Sequence, residues 1–126
     1  MSVALVVEDE PEFSTFVVAV FERAGFDAFA IEYIVDAIEI IQQSNDVEIL
    51  FINLAEQGDD FELVKVVSRQ WPTIKLILLS TQMDSLRALP PAVFVTKPTT
   101  PAVLIAMIEH VALASANNRT SRGTLH

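Results

Sequence analysis

Four short apolar runs, each ended by a polar residue, constrain this chain more than any other feature. Val3-Ala4-Leu5-Val6-Val7 runs into Glu8-Asp9, Ile49-Leu50-Phe51-Ile52 into Asn53, Leu76-Ile77-Leu78-Leu79 into Ser80, and Val93-Phe94-Val95-Thr96 into Lys97. Runs of this length and character suit strands buried on both faces, as in a parallel sheet with helices above and below. Parallel strands deliver their last residues to one rim, and in an open α/β sheet that carboxyl-end rim is where ligands bind. An acidic pair, a hydroxyl and an ammonium gathered there suit a divalent metal and a phosphoryl group. Asn53 is the discordant member, because it stands where a carboxylate nucleophile would be expected.

The segments between the runs read as helices. Pro11 opens a stripe of Phe13, Phe16, Val17, Val20, Phe21 and Ala24, and Gly25 supplies the stop. A short strand is expected over Asp27–Ile31, then a helix face of Ile34, Ala37, Ile38 and Ile41. The third strand reads as 47–52, followed by a loop from Asn53 to Asp60. Leu63, Val64, Val67 and Trp71 mark the next helix before Pro72, and Asp59-Asp60 are read as its cap. Strand four reads as 74–79. The connection to strand five, Thr81 to Ala92, ends in Pro90-Pro91 and leaves room for only a short helix, Asp84–Leu89. A last helix starts with Thr100 as cap and Pro101 in its first turn, with Val103, Leu104, Met107, Ile108 and Val111 on its inner face. Residues 115–126 read as a disordered tail or linker after a single domain spanning 1–114. Strands alternating with helices imply a doubly wound sheet, and strand order 2-1-3-4-5 would make Glu8-Asp9 and Asn53 neighbours.

Composition narrows the chemistry. One domain is the natural count for 126 residues, and an apolar fraction of 52% with 3 Gly supports a packed core. With no cysteine, disulfides and thiolate metal sites are excluded. A formal charge of −9 speaks against direct nucleic-acid binding and fits steering toward a basic partner surface. The opening apolar run is too short for a signal segment, and no stretch approaches the ~20 residues of a membrane span, so a cytoplasmic protein without membrane contact is expected.

With these residues in order, the sequence resembles a response-regulator receiver domain of two-component signalling. Val6-Val7-Glu8-Asp9-Glu10-Pro11 matches the opening acidic motif, Ile77-Leu78-Leu79-Ser80 the strand carrying a Ser/Thr, and Phe94-Val95-Thr96-Lys97-Pro98 the closing aromatic-x-x-Lys-Pro. The match spans roughly Val3 to Ala114, and the short fourth connection is similar to that of small single-domain alphaproteobacterial receivers. The resemblance implies a flavodoxin-like fold with a shortened fourth helix. It also implies a non-enzymatic partner of a histidine kinase, a phosphotransfer protein or another signalling protein. By the same resemblance Glu8 and Asp9 would hold Mg²⁺ together with the residue at position 53 and the backbone carbonyl of Ala55. Ser80 and Lys97 would bind the phosphoryl group, Phe94 would be the switch ring, and Asn53 occupies the phosphoacceptor position. The Lys97–Pro98 bond would be cis, and strand five with the last helix would form the face for a partner or a homodimer.

Chemistry limits what that site can do. A neutral amide is a feeble nucleophile, and Asn53 removes one negative charge from the metal site, weakening Mg²⁺ and leaving Lys97 without its ionic partner. Glu56-Gln57-Gly58 keeps only the glycine of the usual Pro-Gly pair, and Thr81 replaces the small residue expected after Ser80. The reading is a pseudo-receiver that binds its partner without a phosphate switch. The alternative is an ordinary phosphoacceptor regulator whose acceptor Asp was replaced by engineering. Scattered departures at Gln57, Phe61 and Thr81 favour the first. A flavin- or nucleotide-binding protein of the same fold is disfavoured, since Glu8-Asp9-Glu10 would repel phosphate after strand one. Plainer roles are open to the same residues: the acidic triplet as a helix cap, Phe94 as an edge-strand residue half packed on the last helix, and Trp71 at the core boundary. His110 and His126 are expected to have no relay role.

Overall fold

The computed structural model describes residues 2–54, 60–81 and 92–124, with side chains to residue 116. Its strands are β1 (Val3–Val7), β2 (Asp27–Ile31), β3 (Val47–Asn53), β4 (Lys75–Ser80) and β5 (Ala92–Thr96). The described helices are α1 (Pro11–Arg23), α2 (Ile34–Gln43), α3 (Asp60–Gln70) and α4 (Pro101–Thr124). All strand pairs are parallel, in the order β2-β1-β3-β4-β5. This is the expected doubly wound sheet, with its switch point between β1 and β3.

Alternation along each strand builds two cores. Val3, Leu5, Val7, Leu50, Ile52, Leu76 and Leu78 face α2 and α3 through Ile34, Ala37, Ile41, Val64 and Val67. Ala4, Val6, Ile49, Phe51, Ile77 and Leu79 face α1 and α4 through Val17, Phe21, Leu104 and Ile108. Every residue of β1 is buried because both of its faces are covered. The edge strand β2 has only one strand neighbour and stays half exposed.

Local signals fix the helix ends. The Glu10 carboxylate caps α1, accepting from the backbone N–H groups of Glu12 at 3.2 Å and Phe13 at 2.6 Å. Gly25 follows the helix at φ 94°, a left-handed conformation that residues with a Cβ resist. Thr100 Oγ1 accepts from the Val103 N–H at 3.3 Å, so Thr100 is the cap expected from sequence. Trp71 lies at the core boundary, packed against the α2–α3 side.

Three expectations change. Helix α4 runs through Thr124, so the backbone over 115–124 is helical where a disordered tail was expected. Ala112 to Ala116 are mostly good helix formers, and Ser115 is buried, donating to Glu48 Oε1 at 2.8 Å; packing continues the helix past 114. Val103, expected on the inner face of α4, is 46% exposed, while Ala112 takes a core position. Phe94 packs on the α2–α3 side rather than on α4, because Val93 and Val95 already face α4 and alternation turns residue 94 away. The proposed short helix Asp84–Leu89, and with it most of the Thr81–Ala92 connection, lies outside the described residues. Among the described residues no helix is long and apolar enough to cross a membrane.

Candidate functional site

Four strand ends meet at the carboxyl rim, tied by backbone hydrogen bonds. Leu54 N–H donates to the Leu79 carbonyl at 2.9 Å, Lys97 N–H to the Ser80 carbonyl at 3.0 Å, and Glu8 N–H to the Ile31 carbonyl at 2.9 Å. These bonds join the end of β1 to β2, that of β3 to β4, and that of β4 to the residue after β5. A cleft of about 400 Å³ opens there, lined by Glu8, Asp9, Glu32, Tyr33, Asn53, Leu54, Asp60 and Lys97 among others.

Glu8 is the buried acid of the cleft, 7% exposed, and both its oxygens are engaged. Oε1 accepts from the Glu10 N–H at 3.0 Å, and Oε2 accepts from Asn53 Nδ2. A carboxylate can only accept, so the amide must turn its nitrogen toward Glu8. Asn53 Oδ1 is then directed elsewhere, buried with no hydrogen-bond partner among the described residues. Asp9 is exposed, and Glu10, the third acid of the motif, is committed to the α1 cap. Lys97 Nζ donates to the Leu54 carbonyl at 3.0 Å, and among the described residues no carboxylate forms an ion pair with it. The Lys97–Pro98 bond is cis, as the resemblance implies.

Of the residues singled out from sequence, the fold therefore brings Glu8, Asp9, Asn53 and Lys97 into one cleft. Ser80 is buried at the end of β4, in register with Thr96, and is not among the residues lining the cleft. Phe94 sits two residue pairs below, opposite Leu78. Ala55 lies outside the described residues, as do Glu56, Gln57, Gly58 and Asp59. Asp60, read from sequence as a cap, is the first residue of α3 and lines the cleft. Glu32 and Tyr33 were missed. They directly follow β2, so the signal that picked out the other rim residues, a polar residue closing an apolar run, was present for them as well.

The donor set can be tested against a divalent cation. Mg²⁺ prefers carboxylate oxygens and near-octahedral geometry. Here the position-53 side chain presents an N–H donor to Glu8, and Glu8 has both oxygens occupied. Among the described residues no group of three or more His, Cys, Asp or Glu is placed to hold a metal. As arranged, Glu8 and Asn53 are bonded to each other rather than turned toward a cation.

No protein-family model matches the chain. Solved structures do. A response regulator receiver protein from Sinorhizobium medicae superposes with a TM-score of 0.74 at 18% identity, covering 90% of this chain and 96% of that one. Chemotaxis protein CheY4 of Vibrio cholerae gives 0.71 at 19% identity, covering 88% and 98%. At such identities the likeness establishes the fold. Sequence comparison adds Protein Rrf1 of Nitratidesulfovibrio vulgaris, 30% identical over 109 residues, which cover 83% of this chain and 78% of that protein. The chain belongs to the response-regulator receiver family. The rim of this receiver is acidic: Glu8, Asp9, Glu32 and Asp60 line the cleft with Lys97 as its one described cation.

Proposed function

We propose that this receiver is a phosphorylation-independent protein-binding module, not an enzyme, whose position 53 accepts no phosphoryl group. The observation that carries the reading is the Asn53 side chain, which meets Glu8 through its amide nitrogen at the rim where the family places its acceptor. An amide delocalises its nitrogen lone pair and offers no anionic oxygen for in-line attack. Catalysis of phosphoryl transfer rests on positioning and charge neutralisation, and Asn53 disturbs both by lowering the site's charge and leaving Lys97 on a backbone carbonyl. Mg²⁺ affinity is weakened in consequence. Ser80, Lys97 and Phe94 keep the family's positions without a phosphate to respond to.

The partner is a histidine kinase, a phosphotransfer protein or another signalling protein, engaged in the cytoplasm. The favoured contact face joins β5 to α4. A recess of about 240 Å³ lies there, lined by Leu76, Ala92, Val93, His110, Val111 and Ala114 with Lys75 at its margin. A module without a chemical switch needs such an apolar surface displayed at all times, and a second copy could use it as well. Incubation with acetyl phosphate and Mg²⁺, followed by intact-mass measurement, is expected to leave the chain unmodified. An adduct mapped to Asn53 would overturn the reading and restore an ordinary phosphoacceptor role.

A further inference from the structure

The weakened metal site has a second side, visible in what replaces the cation. We infer that Asn53 is a latch: its amide nitrogen takes the place at Glu8 that a divalent cation would need, and holds the rim of the sheet in one arrangement without metal. The inference rests on the phosphorylation-independent reading and extends it from what the site has lost to what it does instead.

Three observations support it. Glu8 is buried and would be costly to leave unpaired, yet both its oxygens are satisfied from within the chain, by Glu10 N–H and Asn53 Nδ2. Asn53 Oδ1, buried and without a partner among the described residues, is the geometric consequence of that choice. Rotating the amide to relieve it would set Oδ1 against the Glu8 carboxylate, acceptor facing acceptor. The bond also belongs to a chain of contacts that crosses the sheet. Glu10 N–H and Asn53 Nδ2 meet on Glu8, Leu54 next to Asn53 receives Lys97 Nζ at 3.0 Å, Leu54 N–H reaches Leu79, and Lys97 N–H reaches Ser80. The ends of β1, β3, β4 and β5 are thereby linked by hydrogen bonds.

A cation entering this cleft must first break the Asn53–Glu8 bond and turn the amide over. The latch therefore excludes Mg²⁺ actively, beyond the charge lost at position 53. It also gives the module its constant shape, since Asn53 and Glu8 are already bonded to each other at the rim in the resting chain.

Magnesium ion alone is the probe. Millimolar Mg²⁺ is expected to leave the melting temperature of the wild-type chain and the Asn53 side-chain NH₂ resonances unchanged. Asn53→Asp sets a second carboxylate against Glu8; it is expected to melt lower in chelator than the wild type and to recover with Mg²⁺, binding the ion at least an order of magnitude more tightly. Asn53→Ala, which removes the latch without adding charge, is expected to speed hydrogen exchange at the Glu10 amide. The wild-type titration decides the matter even if the aspartate variant fails to fold. A Mg²⁺-dependent rise in wild-type melting temperature, or a shift of the Asn53 NH₂ signals, would overturn the latch. So would unchanged exchange at Glu10 in Asn53→Ala. Metal binding without a phosphodonor adduct would sink the latch alone, whereas an adduct at Asn53 would sink the reading beneath it.

Discussion

Single atoms decide the most at Asn53, Glu8 and Gly25. The Asn53 amide has two ends of opposite character, and only the neighbouring carboxylate determines which end faces the cleft. Sequence shows the amide and its feeble nucleophilicity; it does not show that the amide nitrogen would turn to Glu8. Glu10 illustrates the same division. It stands in an acidic triplet, yet its carboxylate is occupied by the Glu12 and Phe13 amides. Replacing Glu10 with Ala should cost about 1 kcal/mol of stability, the usual worth of a helix cap, read from urea unfolding. At Gly25 a Cβ would meet nothing within 4 Å, so Gly25→Ala is free of clashes and its cost is conformational. With φ at 94°, a loss of roughly 1–2 kcal/mol is expected, and a neutral result would contradict the backbone assigned there.

Elements owe their limits to packing as much as to local sequence. Helix α1 has a cap, a proline at its start and a glycine after it, so its bounds could be read directly. Helix α4 has a start signal but no early stop, and polar residues after Ala116 suggested a tail. Its continuation depends on Ser115, buried at 6% and bonded to Glu48 at the start of β3. Ser115→Ala should lower stability by about 1 kcal/mol, since the partner carboxylate is only half buried. Removing 115–126 should lower the melting temperature further; an unchanged value would return these residues to the status of a tail. Two faces compete for the partner. The recess beside β5 is lined by Ala92, Val93 and Val111. The groove between α1 and α4, about 400 Å³, is lined by Val20, Arg23, Ile105, Glu109 and Leu113. Ala92→Glu should abolish association with a partner kinase or a second copy while Leu113→Glu leaves it intact. The reverse pattern would assign docking to the groove between α1 and α4.

Across the whole molecule, the formal charge of −9 and the acidic rim act together. A partner with a basic face would be steered toward the chain at long range, and its association rate should fall steeply as salt rises past physiological strength. Dissociation should change little, because the apolar recess beside β5 is insensitive to screening. A rate independent of ionic strength, measured by stopped flow, would show that the net charge serves solubility alone. The two cores divide the molecule's stability between faces. Phe51 is fully buried among Phe13 and Phe21, with ring centroids 6.3 and 6.5 Å away. Phe51→Ala should cost about 3–5 kcal/mol by leaving a cavity that the two α1 rings cannot close.

The sequence by itself determined the sheet and its rim. Apolar runs ending in polar residues can be satisfied only by strands buried on both faces, and right-handed crossovers then leave few orders for five strands. Glu8, Asp9, Asn53 and Lys97 were legible because backbone direction alone carries them to the same edge. Tertiary structure decided everything that depends on which neighbour a side chain meets. It turned Phe94 toward α2 and α3, exposed Val103, buried Ser115, and added Glu32, Tyr33 and Asp60 to the cleft. It also paired Asn53 with Glu8 across the switch point, residues far apart in the chain. Periodicity records a residue's preference for core or water. The partner that satisfies a polar group is fixed only when two distant strand ends are placed side by side.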